Sequence, residues 1–398
     1  MNGNLIILIL SLIVLATYII DVLSYRINIP GVLLLILFGL AFRFFADETN
    51  LQFPNLERIT PILGTLALIL IVLEGSLDLK LSKNKIPLIR QSVITAVILV
   101  FISTFSIALI FQTVYGQSLY ISVVNALPLA VSSSAIAIPS VAGIKNHVKD
   151  FVVYETTFSD VFGIMVFNFL ILNVVINFKS FLVFGMEFIF MLIASIILIF
   201  FLSFLLDRIK HHIKFFPILA LVFAIYAVSQ IYHYASLFGV LLFGLFLNNS
   251  DLVVQGKVAE YLNPESLSTE IPRFKQIVGE LTFVFKIFFF IIFGYSTRIT
   301  ELGNPHALLI AVIVVASIFL FRFLFLRLVY RIPAMPLAFI APRGLVSILL
   351  FLSIPAQLKI EGFNSSILIW TVFLTTMVLS VSMMAYRKKT KKIIPETE

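Results

Sequence analysis

Residues 154–167 read YETTFSDVFGIMVF, and they place two carboxylates, Glu155 and Asp160, inside a segment that is otherwise apolar enough to cross a membrane. A charged side chain near the centre of a bilayer costs about 2.5–3.5 kcal/mol on insertion scales. Such a residue is retained where a partner, a cavity or a function requires it. The stretch therefore predicts a membrane helix that carries a functional carboxylate, and the alternative is a carboxylate satisfied by helix packing alone.

The composition of the chain is that of an integral membrane protein. Of its 398 residues 61% are hydrophobic and 12% are charged, whereas about 25% of the residues of a soluble domain are charged. We expect one polytopic domain over residues 1–398, with no separate soluble domain. The net charge of +8 is spread between apolar spans and the C-terminus rather than gathered in a patch, which argues against a nucleic-acid partner.

Charged residues and clusters of Pro, Gly and Asn divide the chain into thirteen predicted transmembrane helices, each near the length that a bilayer requires. The fold class is therefore predicted to be all-α. The predicted spans are 4–24, 29–45, 59–77, 86–113, 119–144, 151–177, 181–206, 216–233, 235–249, 279–299, 305–330, 334–357 and 363–386.

Lys and Arg residues fix the predicted orientation, because they are enriched in cytoplasmic loops. Thirteen spans put the termini on opposite sides, and most basic loop residues share a side when the C-terminus is cytoplasmic and the N-terminus outside. The longest predicted loop, 248–280, is then cytoplasmic, and it has room for a short surface helix. The basic tail 387–398 is expected to hold the last span against anionic membrane lipid, at about 1 kcal/mol per basic residue. No basic region precedes the first span, so no cleaved signal peptide is expected.

Asp160 is predicted to lie about 13–15 Å deep, close to the membrane midplane. Glu155 is shallower and is turned about 140° away from Asp160 by helical geometry, so the two acids should face different neighbours. Thr156 lies one turn before Asp160 on the same face and is a candidate to add a hydroxyl to the site. Asp160 is the predicted site of ion and proton binding, and for Glu155 a structural ion pair is the competing interpretation.

Two spans carry helix-breaking sequences near mid-depth. Residues 128–139 read PLAVSSSAIAIP, with Ser132, Ser133 and Ser134 between two prolines, and residues 336–347 read PLAFIAPRGLVS. Proline removes a backbone donor, and a broken helix survives in a membrane only where it faces protein or a wet cavity. The two segments are seven spans apart and so run in opposite directions, which indicates an inverted repeat with a substrate site at the crossing.

Basic residues inside the spans require partners or a route to the surface. Arg343 is always charged and lies at mid-depth, so Glu155 is predicted to be its ion-pair partner. Glu74 is interpreted either as part of an access funnel or as a solvated helix end, and Lys286 either as snorkelling to the inner surface or as lining a cavity. The five histidines lie at loop edges, and the chain has no cysteine, so neither a metal centre nor a cofactor is expected.

Three segments resemble motifs of the cation/proton antiporter-1 family, the sodium/proton exchangers. Residues 155–163, ETTFSDVFG, resemble the family's Glu-x-x-x-Asn-Asp helix; residues 341–347, APRGLVS, its Pro-Arg-Gly-x-x-Ser segment; and residues 73–79, LEGSLDL, its Glu-Gly-Gly-Leu-x-Leu segment. The motif order is kept along nearly the whole membrane chain. The chain departs from the family pattern in two places: Ser159 replaces an Asn, and the three serines stand where relatives often have Thr-Asp-Pro.

The resemblance implies a thirteen-helix inverted-repeat fold that works as a homodimer. Ion-translocation parts would lie at about 86–177 and 305–386, and dimerisation parts at about 4–77 and 181–299. Asp160 would bind a transported Na⁺ and a proton alternately, Glu155 would pair with Arg343, and Arg322 would be a further family arginine, although a snorkelling arginine is the alternative. Ser159, Thr156 and the three serines are the expected additional ligands.

The sequence therefore predicts an antiporter of the cell membrane that exchanges Na⁺ or Li⁺ for protons, one for one. A potassium/proton exchanger or a transporter of a small organic ion is the nearest alternative within transport. A membrane-embedded enzyme would require a nucleophile–base or metal set, and no His accompanies Asp160 at comparable depth.

Overall fold

We describe the protein from a computed structural model. It describes residues 3–27, 30–49, 56–141, 144, 146–175, 177–208, 215–232, 234, 236–249, 264–297, 302–330, 336–363 and 365–393. These residues form fourteen α-helices and three short 3₁₀-helices, and none of them lies in a β-strand. The predicted all-α class is confirmed.

The α-helices follow one another along the chain. They are α1 (Gly3–Ile27), α2 (Gly31–Glu48), α3 (Leu56–Asp78), α4 (Ile86–Tyr115), α5 (Leu119–Ala130), α6 (Ser134–Ser140), α7 (Asn146–Leu172), α8 (Phe178–Arg208), α9 (Phe215–Ile231), α10 (Ser236–Asn248), α11 (Pro264–Ser296), α12 (Pro305–Val329), α13 (Leu345–Leu352) and α14 (Ser365–Ile393). The 3₁₀-helices are Lys83–Lys85, Leu337–Phe339 and Ala356–Leu358.

All thirteen predicted spans correspond to helices in the described part of the chain, because α5 and α6 together form the fifth span. Within the described residues, eight spans are long and apolar enough to cross a membrane by length and composition. The others include α9 and α10, which are shorter apolar helices. The protein is thus a multi-pass membrane protein.

The second half of the predicted loop 248–280 is helical, but its helix is continuous with the tenth span rather than a separate short surface helix. Residues from Pro264 onward already belong to α11, which begins about four turns before the predicted tenth span, while residues 250–263 lie outside the described residues. Phe274 and Val278 are one turn apart and are 2% and 0% exposed, so this amphipathic segment buries one face against the bundle. Its charged residues occupy the other positions, and they are what made the segment resemble a loop.

The helices pack in two groups that meet around α3 and α7. In one group α4 packs against α5, α7 and α12, and α12 packs against α14. In the other α11 packs against α2 and α3, while α10 contacts α3, α8 and α9. A Cβ atom at Gly39 of α2 would come within 2.2 Å of the Ile291 carbonyl oxygen of α11, so glycine is what permits this close helix contact.

The two broken helices cross, as predicted. Backbone residues 131–133 are extended between α5 and α6, and residues 340–344 separate a 3₁₀-turn from α13. The Ser133 N–H donates to the Pro342 carbonyl oxygen at 2.8 Å, which joins the two breaks directly. A Cβ atom at Gly344 would lie 2.6 Å from Ser133 Oγ, so the glycine lets the segments meet.

Candidate functional site

Asp160 is buried in the middle of the bundle, beside the break between α5 and α6. It is the fifteenth of the 27 residues of α7 and is 1% exposed. Its Oδ2 accepts a hydrogen bond from the Ser134 N–H at 3.0 Å, whereas Oδ1 has no hydrogen-bond partner among the described residues. No basic side chain described by the structure forms an ion pair with it. Asp160 thus keeps an oxygen available for a ligand.

The three serines of the break hold its backbone in place. The Ser132 N–H donates to Ser159 Oγ at 3.0 Å, so Ser159 of α7 anchors the extended residues. Ser133 uses its N–H for the second broken helix, and its Oγ has no hydrogen-bond partner among the described residues. Two of the predicted ligands, Ser132 and Ser159, therefore bind each other, while the Ser133 hydroxyl is available.

Two threonines of α7 differ in what their hydroxyls contact. Thr156 Oγ1 donates to the Val152 carbonyl oxygen at 2.8 Å, a bond within its own helix that still leaves the oxygen able to accept. Thr157 Oγ1 is buried, has no hydrogen-bond partner within the described chain, and lies 3.2 Å from where a Cβ atom of Gly75 would be. Thr157 is thus a further candidate that the sequence analysis did not name, and its position one turn from Asp160 was the available signal.

Arg343 does not pair with Glu155, and that prediction is wrong. Its guanidinium instead donates to Ser132 Oγ at 3.2 Å and to three backbone carbonyl oxygens. These belong to Leu129 at 2.7 Å, Ala130 at 3.0 Å and Ala341 at 2.6 Å. The last carbonyls of a helix have no partner within it and carry partial negative charge. The break exposes such carbonyls at the end of α5, and Arg343 satisfies them.

Glu155 pairs with Arg322 of α12. Arg322 Nη2 donates to Glu155 Oε2 at 2.7 Å, and Nη1 donates to Oε1, so the contact is bidentate. Arg322 Nε also donates to the Leu337 carbonyl oxygen at 2.9 Å, just before the second break. At 2% exposure Arg322 is a buried structural arginine rather than a snorkelling one. The pair ties α7 and α12 to the second broken helix.

A cavity of about 10 Å³ lies between this ion pair and the first break. Ser132, Ser159, Glu155, Arg322 and Arg343 contribute to its wall. This volume is close to the minimum that holds one water molecule. The two serines therefore face the ion pair as well as each other.

A larger cavity of about 120 Å³ lies beside α6, between α1, α2, α11 and α14. Lys286 of α11 lines it, together with Ala135 and Pro139 of α6. Glu74 of α3 is half-buried and faces Lys286 and Thr282 of α11, so it is not a solvated helix end. Asp78 lies one turn further along α3, is exposed and pairs with Lys275. Lys286 thus lines the cavity beside α6, and Glu74 lies near Lys286.

None of the described residues forms a group of three or more His, Cys, Asp and Glu side chains arranged to hold a metal ion. The site consists instead of the Asp160 carboxylate, several hydroxyls, the Glu155–Arg322 ion pair and Arg343.

Replacing Arg343 by Lys is expected to destabilise the protein. A lysine ammonium has three donors on a compact head and cannot reproduce the guanidinium fork that reaches three carbonyls and a serine. Each buried carbonyl left without a donor costs about 1–3 kcal/mol. Thermal unfolding of the detergent-solubilised protein measures the effect. Arg327→Lys is the matched control, since Arg327 is exposed near the end of α12. Equal melting temperatures for both variants would contradict the role assigned to Arg343.

Comparison with known proteins gives a family and a fold. Residues 9–386 match the family described as "Sodium/hydrogen exchanger, transmembrane". The structure is similar to that of the sodium proton antiporter MjNhaP1 from Methanocaldococcus jannaschii at pH 8, with 19% sequence identity, 96% of each chain covered and a TM-score of 0.70. An electron-microscopy structure of that antiporter gives 20% identity, 100% coverage of each chain and a TM-score of 0.68.

Comparison with curated protein sequences gives no match. The likeness to the solved structures shows the sodium/proton antiporter fold, and the family match covers nearly the whole chain. The chain therefore belongs to the sodium/hydrogen exchanger family, a family of membrane transporters.

Proposed function

We propose that this protein exchanges a monovalent cation, Na⁺ or Li⁺, for protons across the membrane, and that Asp160 binds the cation and the proton alternately. One observation carries the proposal. Asp160 is a buried carboxylate at the crossing of two broken helices, with no basic partner in the described chain and with Oδ1 available. Family membership supports the same class of transport.

The chemistry of such a carboxylate makes exchange obligatory. A buried carboxylate without a compensating charge is costly, so it is neutralised either by a proton or by a cation. The two ligands exclude each other because they use the same oxygens. Each time Asp160 changes its exposure from one side of the membrane to the other, it then carries either a cation or a proton.

The remaining cation ligands would be hydroxyl and backbone oxygens around Asp160. Ser133 Oγ and Thr157 Oγ1 are the strongest candidates, because both are buried and have no other partner among the described residues. Thr156, Ser132 and Ser159 retain oxygen lone pairs but already take part in other hydrogen bonds. Hydroxyl oxygens suit hard cations.

Alternating access would come from movement of one helix group against the other. The parts 86–177 and 305–386 contain both broken helices, and 4–77 and 181–299 contain the tightly packed α2 and α11. The cavity beside α6 would give access to Asp160 from the side of Lys286. We further infer a homodimer in the cell membrane, with the C-terminus in the cytoplasm.

We infer that the exchange is electroneutral. Glu155 is held by Arg322, and Arg343 is held by carbonyl oxygens, so neither needs to change its charge during a cycle. Asp160 is then the one group that gains or loses a charge partner, which gives one cation for each proton.

The test is exchange by the purified protein in proteoliposomes. An imposed gradient of Na⁺, Li⁺ or K⁺ is followed with a pH-sensitive dye over a series of pH values, with and without a clamped membrane potential. We expect Na⁺ and Li⁺ to drive proton movement and the clamp to leave the rate unchanged. Equal or faster exchange with K⁺ would favour a potassium/proton exchanger, and a rate that depends on the potential would contradict one-for-one exchange.

A further inference from the structure

Lys286 places a positive charge deep in the membrane, on the wall of the larger cavity. The apolar span of α11 runs from Glu270 to Ser296, so Lys286 lies about 15 Å from the outer end of this span. Because the hydrocarbon core of a bilayer is about 30 Å thick, this position is near mid-depth. A lysine at such a depth is costly unless water or an anion solvates it. The solvation of Lys286 therefore has to come from the cavity and from a nearby carboxylate.

Glu74 of α3 is a carboxylate that faces Lys286. A Cβ atom at Gly279 would lie 3.4 Å from Glu74 Oε1, and Thr282 also faces this carboxylate. Gly279, Thr282 and Lys286 follow one another at intervals of three and four residues, so they share one face of α11. Glu74 packs against the Gly279 end of this face, two turns before Lys286, and is not among the residues that line the cavity. Its charge therefore offsets that of Lys286 only in part.

The same cavity is lined by the half-helix that begins beside Asp160. Ala135 of α6 lines the cavity, and the N–H of the preceding residue, Ser134, donates to Asp160 Oδ2 at 3.0 Å. No charged residue other than Lys286 is among the described residues that line this cavity. A cleft with low-dielectric walls and one sign of charge focuses the field of that charge. A cation that approaches Asp160 through this cavity therefore passes a positive charge.

We propose that Lys286 sets the cation affinity of the exchanger from the cavity side, because its charge weakens cation binding at Asp160. This role rests on the exchange function proposed above, and it adds a residue that determines affinity without binding the cation. A transported ion has to bind strongly enough to enter a site and weakly enough to leave it. The buried Asp160 carboxylate with its surrounding hydroxyls attracts a cation, and the charge of Lys286 opposes that attraction.

The experiment measures proton movement driven by Na⁺ in everted membrane vesicles from a host without its own antiporters. Such vesicles present to the medium the side that the predicted orientation places inside. Lys286→Gln removes the charge and is expected to lower the KM for Na⁺ about three- to tenfold, with a smaller change in the maximal rate. Lys286→Met is a second neutral variant with the same expected effect, whereas Lys286→Arg keeps the charge and should keep the wild-type KM. A mildly alkaline pH keeps protons from competing for Asp160.

Lys275→Gln is the matched control. It makes the same chemical change on α11, where Lys275 pairs with Asp78 near the inner end of the helix and does not line the cavity. Its KM should equal that of the wild type. Titration of the purified proteins with Li⁺, followed by ⁷Li relaxation, gives the cation affinity independently of the transport rate, and the Kd of Lys286→Gln should fall by the same factor as its KM.

The role of Lys286 and the exchange function fail in different ways. If the wild type moves no protons in response to Na⁺ or Li⁺, the exchange function is wrong and the role of Lys286 falls with it. If the wild type exchanges and folded Lys286→Gln and Lys286→Met have an unchanged or higher KM, only the role of Lys286 is overturned. A purely structural lysine would lower the maximal rate and the melting temperature without lowering KM. An equal fall of KM in Lys275→Gln or in Lys286→Arg would also overturn the role of this charge.

Discussion

Replacing Asp160 by Asn is expected to abolish cation/proton exchange while the protein stays folded. The amide has nearly the same shape, and its oxygen can still accept the Ser134 N–H that Oδ2 now accepts. It has no negative charge for a cation and does not take up a proton at neutral pH. Because the change also removes a buried charge without a basic partner, the melting temperature should be unchanged or higher. Sodium- and lithium-driven proton movement in proteoliposomes measures the activity.

Asp150→Asn is the control for this substitution. It makes the same chemical change on the same helix, where Asp150 forms a partly exposed ion pair with Lys85 at 2.6 Å. Surface pairs of this kind are worth about 0–1 kcal/mol, so exchange should be retained. Exchange by Asp160→Asn at normal cation affinity would contradict the assignment of Asp160 as the exchange site. An equal loss of exchange in both variants would contradict it as well.

The architecture of this protein could be predicted from its sequence because the membrane simplifies the problem. A helix satisfies the backbone hydrogen bonds of a segment that lies in lipid, so the length of each apolar run predicts a span. The breaks at 131–133 and 340–344 could be located because proline and clustered serine are unusual at mid-depth. Their crossing followed from their odd offset of seven spans, and the Ser133–Pro342 backbone hydrogen bond shows it.

The partners of the arginines could not be predicted in the same way. Matching charges by sign and depth predicts an ion pair between Arg343 and Glu155. This matching ignores the backbone carbonyls that the break itself exposes. Those carbonyls become visible as acceptors once the last residue of α5 is known. Arg322 was harder to assign, because its position in α12 fits a snorkelling side chain until the packing of α7 against the bundle is known.

The hydroxyl ligands show a second limit of the sequence. Helical spacing puts Thr156 on the face of Asp160, but its hydroxyl bonds to its own helix, whereas Thr157 faces Gly75 without a hydrogen-bond partner in the described chain. Spacing predicts which faces residues share. It does not predict side-chain rotamers, and these decide which oxygen atoms are available.

Replacing Arg322 by Ala is expected to destabilise the protein by about 3–5 kcal/mol, the usual cost of removing one member of a buried ion pair. Glu155 is 1% exposed and would be left as a buried carboxylate without its bidentate donor. The Leu337 carbonyl oxygen would also lose the Nε donor, which loosens the approach to the second break. Thermal or denaturant unfolding in detergent measures the change, and Arg327→Ala, an exposed arginine of the same helix, should lie close to the wild type.

The double variant Glu155→Leu/Arg322→Met tests whether the Glu155–Arg322 pair only stabilises the fold or also takes part in transport. It removes both charges and keeps similar volumes, a change that is often neutral in buried pairs, so we expect most of the lost stability to return. The recovery should be incomplete because the Leu337 carbonyl oxygen still lacks its donor. If Asp160 alone changes its charge partner, the folded double variant should also exchange cations for protons. A variant that is as stable as the wild type but inactive would instead make Glu155 and Arg322 part of the ion pathway, and the inference of one carboxylate and one proton per cation would fall with it.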